Sequence, residues 1–494
     1  MNKFVQILSL LVLLSVGAGC EGFLDRQPLD QLTVENFYQT ESEAVLAIKG
    51  AYTPLMDIEW HGKGWMITEI PSDNSAPGGL DPDFSPIDNF TVAADNVQVA
   101  NFWAIRYRLV TLVNIVIERV QEMDLSQERK DILLAEAQFL RAVAYFDLVR
   151  VYGGVPLLTT PPSLSEDLLQ PRASVAEVYA LIVNDLTFAE AHLPISRSGG
   201  DLGRATKGAA LGYLAKAYLT RREFVKARDA AKTVIDLGVY RLMPEYSQNF
   251  ELATTDNNIE SLFQIQYAGC GPFGTGNANQ AFFAPWGEGI TKDRDGWGSQ
   301  IPTGPSVNNP NTTILDAFEE GDDRRKWTIM TSNEYYSSIN PEDGGYTYPA
   351  SGASASTGNI KKYVVGSGPD VCFMSTPQNA HLIRYADILL TYAEAIMEIE
   401  GGQTTNALAL NAFNQVRTRA KLDPAFEITK ESMLHERRVE FAFEGQRWFD
   451  LIRSGKAIEI LTLHGKNPSI HHLLFPLPSA ELEVNPNLTQ NPGY

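Results

Sequence analysis

A chain of 494 residues that is 44% apolar, 10% aromatic and 20% charged has ample apolar surface to bury, which excludes a disordered tail or a fibre. Its 40 basic and 60 acidic residues leave a formal charge of −20, a field that repels phosphate backbones and excludes nucleic acid as a partner. Three cysteines supply neither a disulfide scaffold nor a zinc framework of the CxxC type.

Residues 1–19 read as a signal peptide. Lys3 precedes an apolar run over 4–16, and Gly17-Ala18-Gly19 stands directly before Cys20. That run of roughly 13 residues falls short of the about 20 a spanning helix needs. A cysteine just after small residues resembles a bacterial lipoprotein box, with Gly17 where leucine is usual, so Cys20 is the expected lipid attachment point. In the alternative, an ordinary signal peptide, Cys20 is incidental. Cys270 and Cys372 remain, either as a disulfide or as two free thiols.

Residues 20–40 form an extended lead-in. Thr40 and Glu43 then make a capping box that opens a helix through Ala44, Ile48, Ala51 and Tyr52. Residues 60–96, rich in Gly, Pro, Asp and Ser, read as a long loop. Apolar periodicity returns at Phe102, Ile105, Leu109, Leu112, Val116 and Val120, and again at Leu133, Ala137, Leu140, Ala144 and Leu148 before Gly153-Gly154. Ser174 and Glu177 form a second capping box, for a helix reaching about Leu193. Over 205–237, Leu214, Ala215, Tyr218, Phe224, Ala227 and Val234 fit a tetratricopeptide-like helix pair, with Arg222 where a glycine is usual between the two helices. A similar pair covers 381–420 and turns at Gly401-Gly402. A further helical segment runs from Phe441 through Trp448 to about Leu463.

The fold expected is therefore mostly α: a tetratricopeptide-like helical-repeat scaffold (41–58, 97–237 and 380–463) with a C-terminal tail, 464–494, packing on it. Two loop-rich insertions, 59–96 and 238–379, form a second lobe containing a few short strands such as Leu262 to Tyr267. Solenoids tolerate insertions on one face, and that face often binds.

In the C-terminal third, Ile383-Arg384-Tyr385-Ala386-Asp387-Ile388-Leu389-Leu390 with Tyr392-Ala393-Glu394-Ala395 resembles the central signature of the SusD/RagB family of outer-membrane nutrient-binding lipoproteins. Glu436-Arg437-Arg438, Glu440-Phe441-Ala442-Phe443-Glu444-Gly445 and Arg447-Trp448-Phe449-Asp450-Leu451-Ile452-Arg453 resemble its second signature. The tail, with Leu474-Phe475-Pro476-Leu477-Pro478 and Asn491-Pro492-Gly493-Tyr494, is similar to the family's terminus. Near the start, Phe23-Leu24-Asp25, Phe37-Tyr38, Trp65 with Ser72-Asp73-Asn74, and Gly78-Gly79 also match in order. The resemblance implies a non-catalytic lipoprotein of a Bacteroidetes-type outer membrane, anchored by its N-terminal lipid with its body on the extracellular face. It would bind an oligosaccharide and deliver it to a SusC-like TonB-dependent transporter. A peptide-binding branch of the same family is the alternative ligand class.

The signature charges Glu440, Glu444, Arg447, Asp450 and Arg453 fall at i+3 and i+4 spacings. They read as a partly buried ion-pair network fastening helices to the C-terminal tail, with Tyr385 and Trp448 as core anchors. No catalytic constellation stands out, so a surface polysaccharide hydrolase is the weaker reading, and no cofactor is implied. Gly269, Gly271 and Gly274 satisfy GxGxxG, but Pro272 lies inside and no amphipathic helix follows. His471 and His472 are adjacent rather than one helical turn apart, and Asp293, Asp295 and Gly296 lack the remaining ligands of a calcium loop.

What remains is aromatic. A sugar's C–H face lies well on a flat ring while its hydroxyls seek Asp, Asn, Gln and Arg, and rings offer contact area with few rotors to freeze. Trp60, Trp65, Trp286 and Trp297 lie in the loop-rich stretches, with Tyr267, Phe282 and Phe283 nearby. The expected ligand-binding residues are Trp65, Asp73, Asn74, Gln280, Trp286 and Trp297, with Asp293 and Arg294 as further polar companions. In the plainer reading each Trp fills its own lobe's core. Trp103 and Trp327 are assigned to packing.

Overall fold

The computed structural model describes residues 37–78, 82–161, 169–270, 275–285, 290, 307–350, 357–368, 370–372 and 374–494. Cys20, Trp286, Trp297, the glycines at 271 and 274, and the calcium-loop-like stretch 293–296 lie outside them.

Helix α1 (Glu41–Ala51) begins at the expected box: Thr40 Oγ1 accepts from Glu43 N, and the Glu43 carboxylate accepts from Thr40 N. The stretch expected as loop then turns out partly helical. A five-residue π-helical turn (Ile58–Gly62) runs directly into α2 (Lys63–Glu69), where a Cβ on Gly64 would lie 1.9 Å from Glu59 O. Only glycine allows that approach, so composition read as a loop is here close packing.

The scaffold follows as α3 (Val97–Glu122), α4 (Gln127–Tyr152), α5 (Val175–His192), α6 (Lys207–Thr220) and α7 (Phe224–Asp236). Each packs on the next, α3 on α4 and α6 on α7 across short turns, and α5 on α4 and α6 across longer connections. Ser174 and Glu177 cap α5 reciprocally, and Gly153 ends α4 at φ +77°. Alanines 135, 137, 142 and 144 are fully buried on α4 and let its neighbours approach from several sides.

The long insertion leaves and returns through an antiparallel strand pair. Strand β2 (Ser261–Ile265) lies against β4 (Ala380–Arg384), so His381 begins on a strand rather than on the expected helix. Then α8 (Tyr385–Ile399) packs directly on α7, and α9 (Ala407–Arg419) on α8, so the solenoid resumes across the insertion. Gly401 and Gly402 turn the chain at φ +95° and +102°.

Three helices complete the C-terminal part: α10 (Lys430–Glu440), α11 (Arg447–Arg453) and α12 (Ala457–Leu463). The expected helix from Phe441 does not start there. Phe443 and Gly445 take φ +61° and +66°, breaking the chain between α10 and α11. Helix α10 falls within the expected scaffold range 380–463, between the expected helix pair and the expected further segment. The tail lies along α4: Phe475 N donates to Val151 O, and Asn491 Nδ2 donates to Tyr152 O and Phe475 O.

Candidate functional site

The two insertions meet edge to edge. Strand β1 (Ser75–Pro77) pairs antiparallel with β3 (Asn308–Pro310), with Ser75 opposite Pro310. Gly78 N donates to Val307 O at 2.7 Å, Val307 N to Phe282 O at 2.9 Å, and Asn311 N to Asn74 O at 2.7 Å. The Cys270–Cys372 disulfide joins the insertion's two arms, settling the alternative the sequence left open. Ala284, Ile290, Met330, Tyr336, Ile339, Tyr348 and Val364 form a small separate core above this base.

Three of the expected hydroxyl partners turn inward. Asp73 is fully buried and its carboxylate accepts from Arg447 Nε at 2.7 Å and Nη2 at 2.9 Å, with Arg438 Nε 3.2 Å away. Burial alone would raise its pKa, but the two guanidiniums hold it well below the carboxylate range. Asn74 donates to Glu69 Oε1 and accepts from Arg438 Nε. Gln280 Oε1 accepts from Val365 N and Gly366 N, and its Nε2 donates to Gly366 O. A buried amide or carboxylate with its partners in place gains nothing from a sugar hydroxyl, so these three brace the base of the lobe from within.

Trp65 is 8% exposed. It lies flat on His61 at 5.0 Å between ring centres and meets Phe283 and Tyr363 edge-on, while Gly445 backs onto its indole so closely that a Cβ would lie 1.8 Å from Nε1. Trp65, Trp60, His61 and Arg106 border an interior hollow of about 70 Å³. That is room for a few waters, each needing at least about 10–15 Å³. It is far below the roughly 300 Å³ at which ligand pockets begin. Burial, then the nearby Arg106 charge, pushes the His61 pKa down to about 3, so the ring is neutral. The Arg106 guanidinium lies 4.2 Å from the Trp60 ring centre and 3.4 Å from that of Phe102, and donates to the Glu59 and Trp60 carbonyls. Trp65 therefore works as an aromatic support in this arrangement.

A second hollow is roomier. A cleft of about 250 Å³ lies between Met56, Asp57 and Ile58 on one side and Tyr267, Ala278 and Met374 on the other, with Arg108 at its edge. Asp57 and Arg108 belong to scaffold stretches that carry no binding signature, and sequence reasoning missed them.

The signature charges form a buried network, as expected: Asp450 with Arg453 follows the i+3 spacing along α11, and the other pairs run between elements. Glu440 takes Arg384, Arg419 and Arg324; Glu444 takes Arg384 and Lys362; Asp387 takes Lys216 and Arg437; Asp450 takes Arg437 and Arg453. Burial opposes ionisation of Glu440, yet Arg419, Arg384 and Arg324 hold its pKa far below the usual range. Through Glu440 and Glu444 these ties fasten α10 and the turn after it to Arg324 and Lys362 of the long insertion, while Asp387 joins α8 to α6 and α10, and Asp450 joins α11 to α10. The tail, which the spacing had nominated, is instead held by Arg172, donating to Thr489 O and Asn491 Oδ1. Tyr385 and Trp448 are both buried core residues. Among the described residues no cluster of His, Cys, Asp or Glu could hold a metal ion, and no helix is long and apolar enough to cross a membrane.

The chain is similar to known proteins over most of its length. Residues 260–494 match a model described as the SusD family, and residues 22–219 one described as starch-binding associating with outer membrane. A SusD-like protein of Bacteroides ovatus is 32% identical over 460 residues, covering 88% of this chain and 80% of its own. A crystal structure with xylogluco-oligosaccharide superposes with a TM-score of 0.77 at 27% identity, covering 89% of this chain and 97% of that one. A laminarin-binding SusD-like protein superposes at 0.76 with 26% identity, covering 92% and 100%.

Proposed function

The chain belongs to the SusD family, and from that premise we propose that it captures an oligosaccharide at the outer face of the outer membrane and hands it, chemically unaltered, to a TonB-dependent transporter. The observation that carries the reading is the stitching of both insertions into one base. Through β1, β3 and the Val307–Phe282 hydrogen bond, Val307 is held close to Phe283, which touches Trp65, and in the sequence Trp286 and Trp297 fall between Phe283 and Val307. On this reading Trp286 and Trp297 offer their faces to sugar rings, and Trp65, Asp73, Asn74 and Gln280 keep the base rigid so that little order is lost on binding. The relatives crystallised with xylogluco-oligosaccharide or described as laminarin-binding support a glycan over a peptide. Cys20 is the proposed lipid attachment point, which would hold this acidic body at the membrane by its acyl chains rather than by charge.

Calorimetry of the chain lacking residues 1–20 against laminarin and xyloglucan oligosaccharides tests the reading. Binding is expected, with the glycan recovered intact, and Trp286→Ala or Trp297→Ala should weaken it by at least about tenfold, as loss of an aromatic hot spot does. Absence of binding across a broad glycan panel, or release of shorter fragments on long incubation, would overturn it.

A further inference from the structure

A cleft of about 310 Å³ opens in the scaffold between the α6–α7 turn, α8 and the C-terminal helices α10 to α12. It reaches the size at which ligand pockets begin, roughly 300 Å³. It shares no residue with the hollows beside Trp65 and Tyr267. Phe224, Leu434 and Ile460 line its apolar part, with the buried thioethers of Met397 and Met433 beneath, side chains that adapt readily to a guest.

Most of the charge on its wall is matched. Lys430 pairs with Glu398, Lys456 with Glu459, and Arg453 with Glu394. Glu431 accepts from its own backbone N–H and from the Thr429 hydroxyl. Two guanidiniums lack a counter-charge of their own. Arg438 shares Asp73 with Arg447, which takes that carboxylate by two hydrogen bonds, and the Nη1 of Arg438 has no partner among the described residues. Burial pushes the Arg438 pKa down to about 10 although Asp73 opposes the shift, so the group stays charged but poorly compensated. Arg222 is exposed at the rim, and among the described residues its side chain has neither a hydrogen bond nor an ion pair. Its φ of +61° is the kind of strain that collects at functional positions. In a chain of formal charge −20, this is a locally cationic hollow.

We propose that this cleft binds a small carboxylate with an apolar body, its head on Arg222 and its body against Phe224, Leu434 and Ile460. A guanidinium fork takes both oxygens of a carboxylate, and the poorly compensated charge of Arg438 deepens the positive potential that the head enters. A neutral polyol would strip its hydroxyls of water against apolar side chains and pairs already satisfied. A cation meets only carboxylates that have partners. A phosphate dianion would bring a second charge close to Glu398 and Glu431, with one free guanidinium at the rim to receive it.

The assignment does not rest on the glycan reading. The chain without residues 1–20, carrying methyl-labelled methionine, is titrated with butanoate, octanoate, decanoate and decanol, as wild type and as Arg222→Gln. Met397→Leu and Met433→Leu, which nearly conserve volume, assign the two methyl signals. Decanoate is expected to shift both signals, with affinity rising about two- to fourfold for each added methylene. Arg222→Gln should weaken it about three- to tenfold, the range between an exposed pair and a charged hydrogen bond. An unchanged melting temperature separates that loss from a damaged fold. Decanoate that leaves both signals unmoved, decanol that binds as tightly, or undiminished binding to Arg222→Gln would each overturn the assignment. The tripeptide Ala-Leu-Phe and its C-terminal amide distinguish the source of the carboxylate. Shifts of the same signals by the free acid alone would assign it to a peptide end, and no shift by either would assign it to a free acid.

Discussion

Around Glu440 three guanidiniums share one buried carboxylate, whereas the loop-rich lobe's own separate core, among the described residues, is seven buried side chains, its other buried apolar groups joining the scaffold's core. The scaffold joins a large apolar core to an interlocked charge network. Beyond the core it shares with the scaffold and the network's hold on Arg324 and Lys362, the lobe is held by discrete ties: a disulfide, the β1–β3 ladder, and the amides of Gln280, Asn340 and Asn359. Loss of one partner in the network strands several charges at once, while loss of one tie frees only what it held. A binding surface on such a lobe can change its loops without threatening the frame beneath.

The largest effect should therefore come from the network. Glu440→Gln leaves Arg384, Arg419 and Arg324 crowded without their shared counter-charge, and breaking a buried pair in this way costs about 3–5 kcal/mol. Urea denaturation would read it as a lower midpoint for the whole chain. Lys421→Ala, which breaks an exposed pair with Glu245, should cost no more than about 1 kcal/mol. Equal losses in the two variants would refute the contrast between network and surface.

In the lobe, Cys270→Ser with Cys372→Ser opens a loop with a sequence separation of 102. The expected cost is about 2–5 kcal/mol, arising chiefly from the freed unfolded chain. Its signature is location. Amide exchange should quicken around Ala268 and Ser375 while α3 to α9 keep their protection, and an equal loss of protection throughout would show that lobe and scaffold unfold as one unit.

Glu69 sits on the seam. It is fully buried and accepts from Asn74 Nδ2, Phe443 N and Gly445 N, yet burial outweighs these bonds and pushes its pKa up to about 7. The folded chain thus holds this proton more tightly than the unfolded chain. The stability it brings is complete below the unfolded value of about 4.5 and is lost as pH rises through about 7, on the order of 3 kcal/mol in all. Glu69→Gln cannot ionise, so the stability difference between variant and wild type should move in the variant's favour by up to that amount between pH 5 and pH 8. A difference that stays flat with pH would mean Glu69 is ionised throughout.

The contrast also explains what could be read from the chain alone. Caps and apolar stripes are local, so Thr40 with Glu43, Ser174 with Glu177 and the α3 and α4 stripes pointed straight to their helices. Helix α10 lies in the expected scaffold range but carries little apolar stripe of its own, because Glu436, Arg437 and Glu440 are buried on it, compensated by Arg324, Arg384 and Asp387 from far along the chain. Asp73 misled for the same reason: its partner Arg447 lies 374 residues away, and an acid beside Asn74 near Trp65 reads equally well as a ligand contact. Trp65 reads from the chain as a loop aromatic, but the glycine that seals its indole, Gly445, belongs to a distant signature. Non-local compensation leaves no trace in spacing.

The smallest effect is the one the sequence specified most closely. Arg222 stands in the helix-to-helix turn where the repeat pattern prefers glycine, and its φ is +61°; the corresponding turn of the second pair uses Gly401 and Gly402. A left-handed backbone costs a non-glycine residue about 1–2 kcal/mol. Installing glycine gives back about 0.5–1 kcal/mol through its freer unfolded chain. No hydrogen bond or ion pair of the Arg222 side chain is lost, since only its backbone N–H is engaged, donating to Leu219 O. Arg222→Gly should therefore stabilise the chain by about 0.5–1 kcal/mol, a small rise in the urea midpoint with glycan affinity unchanged. Gly401→Ala should do the reverse: its Cβ would meet nothing within 4 Å, so any loss reports the φ of +95° alone. Destabilisation by Arg222→Gly would show that the guanidinium, which borders a cleft with Phe224, Met397 and Lys430, contributes more than its strained backbone costs.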